Sequence, residues 1–401
     1  MIISKTGYGY NDLTLVPAKL TTIEHRSEIN VMVDEKDKLP IFTAPMTTIV
    51  SVDNLQDFIT NGITPIVPRG MFSHANNKIT EEEDYQKRIE LLLQNYWVSF
   101  SLKETQQLIT TLLTNYNELK TFYETEGNEL KICIDVANGH MQSIYDTAYN
   151  LKSFLFDNDM RIQIMTGNIA NPQTFEYVKN NIVQYKHDYY NVIDYIRVGI
   201  GGGSGCITSP QTSVHYAQAT LIDNCASLKN DGPTTHGTKI IADGGIRNYG
   251  DVIKALALGA DYVMIGGLFG STIESSGTKY GDIDGNGVPT YMLSTMELKK
   301  YKSHGYFYAN GKNICCNNVY TEFYGMASKK GQKDMFGKKR KTAEGKSKFI
   351  KVTTTLPQWT ENMIAYLKSA MSYCNCRNLN EFIGNQELLP TAIGEMNAVN
   401  K

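Results

Sequence analysis

KIIADGGIRNYGDVIKALALGADYVMIGG, residues 239–267, reads as strand, helix, strand. The runs KIIADGG (239–245) and YVMIGG (262–267) are apolar and β-branched without alternation, the composition of strands covered on both faces. Between them YGDVIKALALGA (249–260) carries its apolar residues at helical spacing. Two such strands joined by one short helix make a βαβ unit of a parallel sheet.

Working outward, the same kind of run recurs along the chain. The runs are PIFTAPM (40–46), ITPIVPR (63–69), YWVSFSL (96–102), LKICIDVA (130–137), RIQIMTG (161–167) and YIRVGI (195–200). With the first two they make eight candidate strands. Helical patterns fall between several of them, at 81–96 and 104–124, and ENMIAYLKSAMSYC and onward (361–383) reads as a closing helix. Eight alternating units predict an α/β fold of the (β/α)8 TIM barrel kind. A doubly wound open sheet is the alternative. The expected organisation is one barrel domain over 1–401, with insertion or flap segments at 271–350 and a C-terminal helix and tail at 351–401. Residues 271–320 and the basic stretch 328–350 fall outside the alternation and are expected to be irregular, as a flap or a solvated loop.

Composition narrows the function. The net charge of −2 supplies no broad basic face for nucleic acid. No run approaches the roughly 18 apolar residues of a membrane span. The start MIISKTGYGYNDL lacks a signal-peptide core, and seven irregularly spaced cysteines do not form a disulfide framework. A cytoplasmic protein with at least one free thiol is expected. GDIDGNG (281–287) places Asp282, Asp284 and Asn286 at alternate positions, but the twelfth position of a calcium loop is Leu293 rather than Glu. A turn is expected there.

RVGIGGGSGCITS (197–209) leaves the sixth strand through five glycines and delivers Cys206. A dinucleotide fingerprint starting at Gly199 and Gly201 fails, because its third glycine falls on Ser204. The loop reads instead as a glycine hinge that presents a nucleophilic cysteine at the C-terminal end of a barrel strand, where active sites of this fold lie. The other reading is an inert buried thiol. Gly244 and Gly245 end the seventh strand, and Gly266 and Gly267 the eighth. These two loops either cradle a phosphate, with Asp243 accepting from a ribose diol, or form tight turns only. IDVANGH (134–140) sets Asp135 and Asn138 at the rim, either for a polar ligand or as helix caps. FYGMASKK (323–330) offers Gly325 and Met326, and KTAEGK (341–346) presents Glu344, which gains meaning only if its segment closes over Cys206.

Together these pieces resemble the family of IMP dehydrogenases and GMP reductases. The similarity runs through LPIFTAPM (39–46), DVANGH (135–140), TGNIA (166–170), VGIGGGSGCIT (198–208), ADGGIRNYGDVIKALALGADYVMIGG (242–267), FYGMAS (323–328) and TAEGK (342–346). Within the family the reductase branch fits best. Only residues 70–95 stand where the dehydrogenases usually carry a regulatory domain, no Arg-Tyr dipeptide occurs, and DVANG and TAEG are reductase forms.

The resemblance implies NADPH-dependent reductive deamination of GMP to IMP and ammonia, through a thioimidate on Cys206, with Thr208 and Glu344 moving protons. It implies GMP on Ser204, Asp243, Gly244, Gly245, Gly266, Gly267, Gly325 and Met326. NADPH would lie near Asp135, Val136, Ala137 and Lys341, and carbonyls of Gly201, Gly203 and Cys206 could hold potassium. A homotetramer is expected, with no nucleic-acid or membrane partner. NAD-dependent oxidation of IMP and nucleotide binding without catalysis are the alternatives. The chain departs from the family at Ile207 and Ser209, where Thr and Arg are usual, at Ala327 for Ser, at Lys341 for Arg, and in the length of 271–320.

Overall fold

Eight strands bury side chains on both faces. They are β1 (Ile41–Thr43), β2 (Ile66–Val67), β3 (Trp97–Phe100), β4 (Leu130–Asp135), β5 (Ile162–Ile169), β6 (Tyr195–Val198), β7 (Lys239–Asp243) and β8 (Tyr262–Ile265). In this computed structural model the residues described are 6–33, 37–72, 79–229, 234, 237–282, 287–304, 306–309, 312–315, 318–336, 342–343 and 345–391. The strands pair in the order β1-β8-β7-β6-β5-β4-β3-β2, all parallel. A parallel bridge between Phe42 and Thr64 closes the ring. It is held by Thr43 N–H to Thr64 O and Thr64 N–H to Ile41 O, each 3.0 Å. The fold is the expected (β/α)8 barrel, not the open sheet.

The two-residue period of a strand explains the continuous apolar runs. Outward residues such as Val98, Phe100, Ile132, Ile134, Ile196, Val198 and Ile240 join the main core under the helices. Inward residues Phe42, Ile66, Trp97, Cys133, Met165, Ile241 and Met264 form a second core inside the barrel. Its floor is aromatic. Trp97, Tyr195 and Tyr262, near the N-terminal ends of their strands, meet Phe42 with ring centroids 5.2–5.8 Å apart. Two residues further along, β4, β6 and β7 place Asp135, Arg197 and Asp243 inward, so the filling changes from rings to charge toward the C-terminal mouth.

Each strand is followed by a helix: Leu55–Thr60, Glu81–Leu92, Leu102–Thr114, Gln142–Asp157, Pro172–Lys179, Gln218–Ser227, Tyr249–Ala257 and, after a long insertion, Leu356–Tyr373. The helix expected over 104–124 is broken into Leu102–Thr114 and Tyr116–Glu124. Asn115 breaks it by donating its side-chain amide to Thr111 O at 2.8 Å. Asn248 caps the helix that follows β7, accepting from Asp251 N–H at 2.9 Å. Asn248→Ala is expected to cost ~1 kcal/mol, read as a lower urea midpoint at unchanged slope.

The insertion corrects the expectation of irregular structure over 271–320 and 328–350. Lys279–Gly281, Tyr291–Met292, Val319–Tyr324 and Ser347–Lys351 form an antiparallel four-stranded sheet, with Val319–Tyr324 between Lys279–Gly281 and Ser347–Lys351. Ile273, Leu293, Tyr301, Val319 and Val352 make its own small core, and the helix Thr295–His304 supplies Tyr301. Asp282 accepts from Gly287 N–H at 2.7 Å; Asp284 and Asn286 of GDIDGNG lie outside the described residues. Among the described residues no helix is long and apolar enough to cross a membrane.

Candidate active site at the barrel mouth

Cys206 stands at the C-terminal mouth, half-buried, whereas Cys133, Cys225, Cys374 and Cys376 are buried free thiols. Burial pushes the Cys133 thiol, inside the barrel, up to about 12, so it stays protonated. Cys206 N–H donates to Gly203 O at 2.9 Å, which closes the glycine loop into a turn. Its thiol donates to Thr208 Oγ1 at 3.2 Å, and Thr208 N–H points back at the sulfur at 3.5 Å. Ser209 Oγ turns away toward Val214 O and His215 Nδ1, each 3.2 Å, and His215 Nδ1 reaches Ile200 O at 3.0 Å. Ser209 and His215 thus pin the start of the glycine loop.

The flap sheet meets the backbone of the cysteine loop. Gly345 forms an antiparallel bridge with Cys206 and a parallel bridge with Ser328. Lys346 N–H donates to Gly205 O at 2.9 Å. Two strands of one sheet thus bring both flap motifs to the cysteine: Val319–Tyr324 runs into Gly325 and Met326, and Gly345 runs into Ser347–Lys351. Glu344 and Lys341, the expected proton carrier and cofactor residue, lie outside the described residues.

The glycines assigned to the phosphate and purine converge on the same mouth. Gly245 N–H donates to Gly202 O at 2.9 Å, joining the β7 turn to the cysteine loop. Gly244 and Gly245 have φ of +97° and +77°, which bars an ordinary side chain. A Cβ on Gly267 would stand 2.6 Å from Ser204 Oγ, and one on Gly266 3.3 Å from Met46 Sδ. Met46 Cε is 4.0 Å from the same point on Gly325, and Thr47 Oγ1 is 3.7 Å from Met326 Sδ. At the mouth Ser204 thus adjoins Gly267, Met46 links Gly266 to Gly325, and Gly244 and Gly245 adjoin the cysteine loop; Met46 is a neighbour that sequence reading did not single out.

Beneath that mouth lies a residue that the sequence reading passed over. Arg197 is 8% exposed. It donates to Asp135 Oδ1 at 2.9 Å and to Asp243 Oδ2 at 3.0 Å. Arg69, at the end of β2, holds the other oxygen of Asp135 at 3.2 Å, and Asn168 donates to Asp243 at 2.8 Å. Burial alone would raise the Asp135 pKa, but Arg69 and Arg197 hold it below the usual carboxylate range. Asp243 pulls Arg197 upward against its own burial. The two carboxylates read from sequence as separate ligand contacts are thus joined by one guanidinium. The signal was available: Arg197 is a charge inside a strand that is otherwise apolar on both faces. Val136 and Ala137 follow Asp135 at the rim, half-buried and exposed.

His140 of the same loop accepts from Ala170 N–H at 3.1 Å through Nε2 and faces Thr174 Oγ1 at 2.9 Å. Burial lowers its pKa, so the neutral ring ties the β4 and β5 loops together. For a dinucleotide, the fit is a charged rim with spare bonding capacity. Arg69 Nε is buried with no hydrogen-bond partner among the described residues, and Arg69 lines a cleft of about 170 Å³ with Gly70, Lys103 and Glu104.

Residues 7–396 match the sequence profile described as the IMP dehydrogenase / GMP reductase domain. The chain belongs to this family. It is 31% identical over 257 residues to an inosine-5'-monophosphate dehydrogenase of Chlorobaculum parvum, covering 63% of this chain and 44% of that one. It is 29% identical over 322 residues to a GMP reductase of Buchnera aphidicola subsp. Schizaphis graminum, covering 76% of this chain and 81% of the relative. A GMP reductase of Caenorhabditis elegans is 30% identical over 64% of this chain and 58% of its own. The matched part of the chain thus spans less than half of the dehydrogenase and most of the bacterial reductase.

Proposed function

We propose that the chain is an oxidoreductase of purine nucleotides, and specifically a GMP reductase that converts GMP and NADPH to IMP, ammonia and NADP. The observation that carries this reading is the bridge between Gly345 and Cys206. It joins the backbone of the TAEG segment, rather than any Arg-Tyr pair, to the backbone of the cysteine. Membership of the family and the length match to the bacterial reductase support it.

In this reading the Cys206 sulfur, as thiolate, bonds to C2 of GMP. The C2–NH2 bond breaks, and the nitrogen leaves as ammonia after gaining a proton. Glu344 and Thr208 carry protons between sulfur and leaving group, a role worth about 10²–10⁴ in rate. The nicotinamide, when bound, supplies hydride to C2. Loss of the sulfur then gives IMP and restores the thiolate. The two turns hold the phosphate through the backbone N–H groups of Gly244, Gly266 and Gly267, with Gly245 beside them donating to Gly202 O, and Ser204, Gly325 and Met326 border the purine. Asp243 accepts from the ribose, and Asp135, Val136, Ala137 and Lys341 receive NADPH. The carbonyls of Gly201, Gly203 and Cys206 are the proposed potassium ligands; Gly203 O already accepts one N–H and has a second lone pair to offer. A homotetramer in the cytoplasm completes the proposal.

Purified protein given GMP and NADPH should consume NADPH and release ammonia in equal amounts. Oxidation of IMP by NAD to XMP, with no turnover of GMP, would overturn the reductase reading in favour of the dehydrogenase. Glu344→Gln should slow ammonia release by roughly 10²-fold while hydride transfer to a preformed adduct changes far less. Single-turnover measurement of the two steps checks this, and equal losses in both would remove Glu344 from the proton path.

A further inference from the structure

Lys279 opens the first strand of the flap sheet and is 3% exposed. Its ammonium donates to Ser275 O at 2.7 Å, Ser275 Oγ at 2.8 Å and Gly277 O at 3.1 Å. Three donors meet three neutral oxygens, and no carboxylate is among them. The charged groups acting on it are Lys302, on the helix Thr295–His304, and Glu274, in the preceding turn. Glu274 in turn accepts from Leu356 N–H at 2.7 Å.

The turn that this lysine knots reaches in two directions. Toward the barrel, Ser276 Oγ donates to Thr47 O at 2.7 Å, and Gly277 N–H to Thr48 O at 2.9 Å. Toward the flap, Glu322 N–H donates to Thr278 O at 2.8 Å, and Lys279 pairs in register with Thr321. Beyond these contacts, Thr48 Oγ1 donates to Tyr324 O at 3.2 Å, next to Gly325 and Met326. The Lys279 turn is therefore the joint between the loop after β1, which carries Met46, and the segment that carries Gly325 and Met326. A turn with three inward oxygens has no stable closed form without a donor at its centre, because a buried carbonyl left unpaired costs about 1–3 kcal/mol.

We infer that Lys279 is a positioning residue for purine binding, acting as an internal cation that fixes the spacing between Met46 and the Gly325–Met326 segment. The inference rests on the proposal that this mouth binds a purine nucleotide. It also gives the site a pH response of its own. Burial brings the lysine down to about 7. Below that pH the ammonium satisfies all three oxygens. Above it the neutral amine has two N–H groups and a lone pair to offer three acceptors, and the joint loosens.

The test is the equilibrium affinity for GMP and IMP in a Cys206→Ala background, where thiol titration and turnover drop out. Lys279→Met should weaken GMP binding about tenfold at roughly pH 6, and the gap from the parent should narrow by roughly pH 8. A folded Lys279→Met protein that binds like its parent at both pH values overturns the inference, as does a gap that does not vary with pH. If Lys279→Met fails to fold, Ser276→Ala removes only the bond to Thr47 and should weaken binding about threefold; unchanged affinity overturns the inference. Failure of the parent to bind either nucleotide is a different result: it overturns the proposed function and takes this inference with it.

Discussion

Cys206→Ala is expected to reduce turnover by about 10⁴-fold or more, the scale seen when a covalent nucleophile is removed from an otherwise intact site. The affinity for GMP should change little. The glycine turns proposed to hold the phosphate follow β7 and β8 and lie apart from the sulfur in sequence. The loop geometry around Cys206 rests on backbone bonds: Cys206 N–H to Gly203 O, Lys346 N–H to Gly205 O and Gly245 N–H to Gly202 O, all 2.9 Å. None needs the sulfur. The lost free energy should therefore appear in kcat rather than in KM. Rapid quenching of the parent with GMP should also reveal a mass adduct on the peptide holding Cys206, and the variant should lack it. An active enzyme whose trapped adduct maps to another side chain would remove the cysteine from the chemistry. So would a Cys206→Ala protein that retains most of its rate.

Arg197→Met is expected to destabilise the fold by about 3 kcal/mol, because it leaves two largely buried carboxylates without their shared partner. The side chains of Asp135 and Asp243 are 18% and 16% exposed, so water replaces the guanidinium poorly. The pH dependence distinguishes this cause from simple loss of packing. In the parent, Asp135 has a folded pKa held below its unfolded one. The stability it contributes is present above the unfolded pKa of roughly 3.9 and is lost as pH falls through the folded value. In the variant Asp135 loses one of the two guanidiniums that hold its pKa down, so the deficit should shrink as acid protonates it. Urea melts of parent and variant from neutral to acid pH measure this. A deficit that is constant with pH would mean that Arg197 matters for volume, not charge. Adding Asp243→Asn to Arg197→Met should recover part of the loss, since one unpaired charge is removed.

The barrel was legible because its strands are covered on both faces, and this leaves unbroken runs such as LKICID and YVMI. The cysteine loop was legible because glycine in such density has few other uses. Arg197 was not singled out, since the reading followed the ends of strands and this residue lies within one. Its meaning depends on Asp135 of β4 and Asp243 of β7 meeting its side chain inside the barrel, which spacing along the chain does not reveal. The flap sheet was missed for a related reason. Its strands are short and partly polar, and the pairing of Lys279 with Thr321 joins residues far apart in sequence. The helix break at Asn115 turned on one side-chain amide competing for a carbonyl, below the reach of a periodicity argument.

The four interlocked rings at the foot of the barrel bear on kinetics as much as on stability. With that end stoppered, the nucleotide and the nicotinamide of the proposed reaction would share a single doorway, at the opposite end.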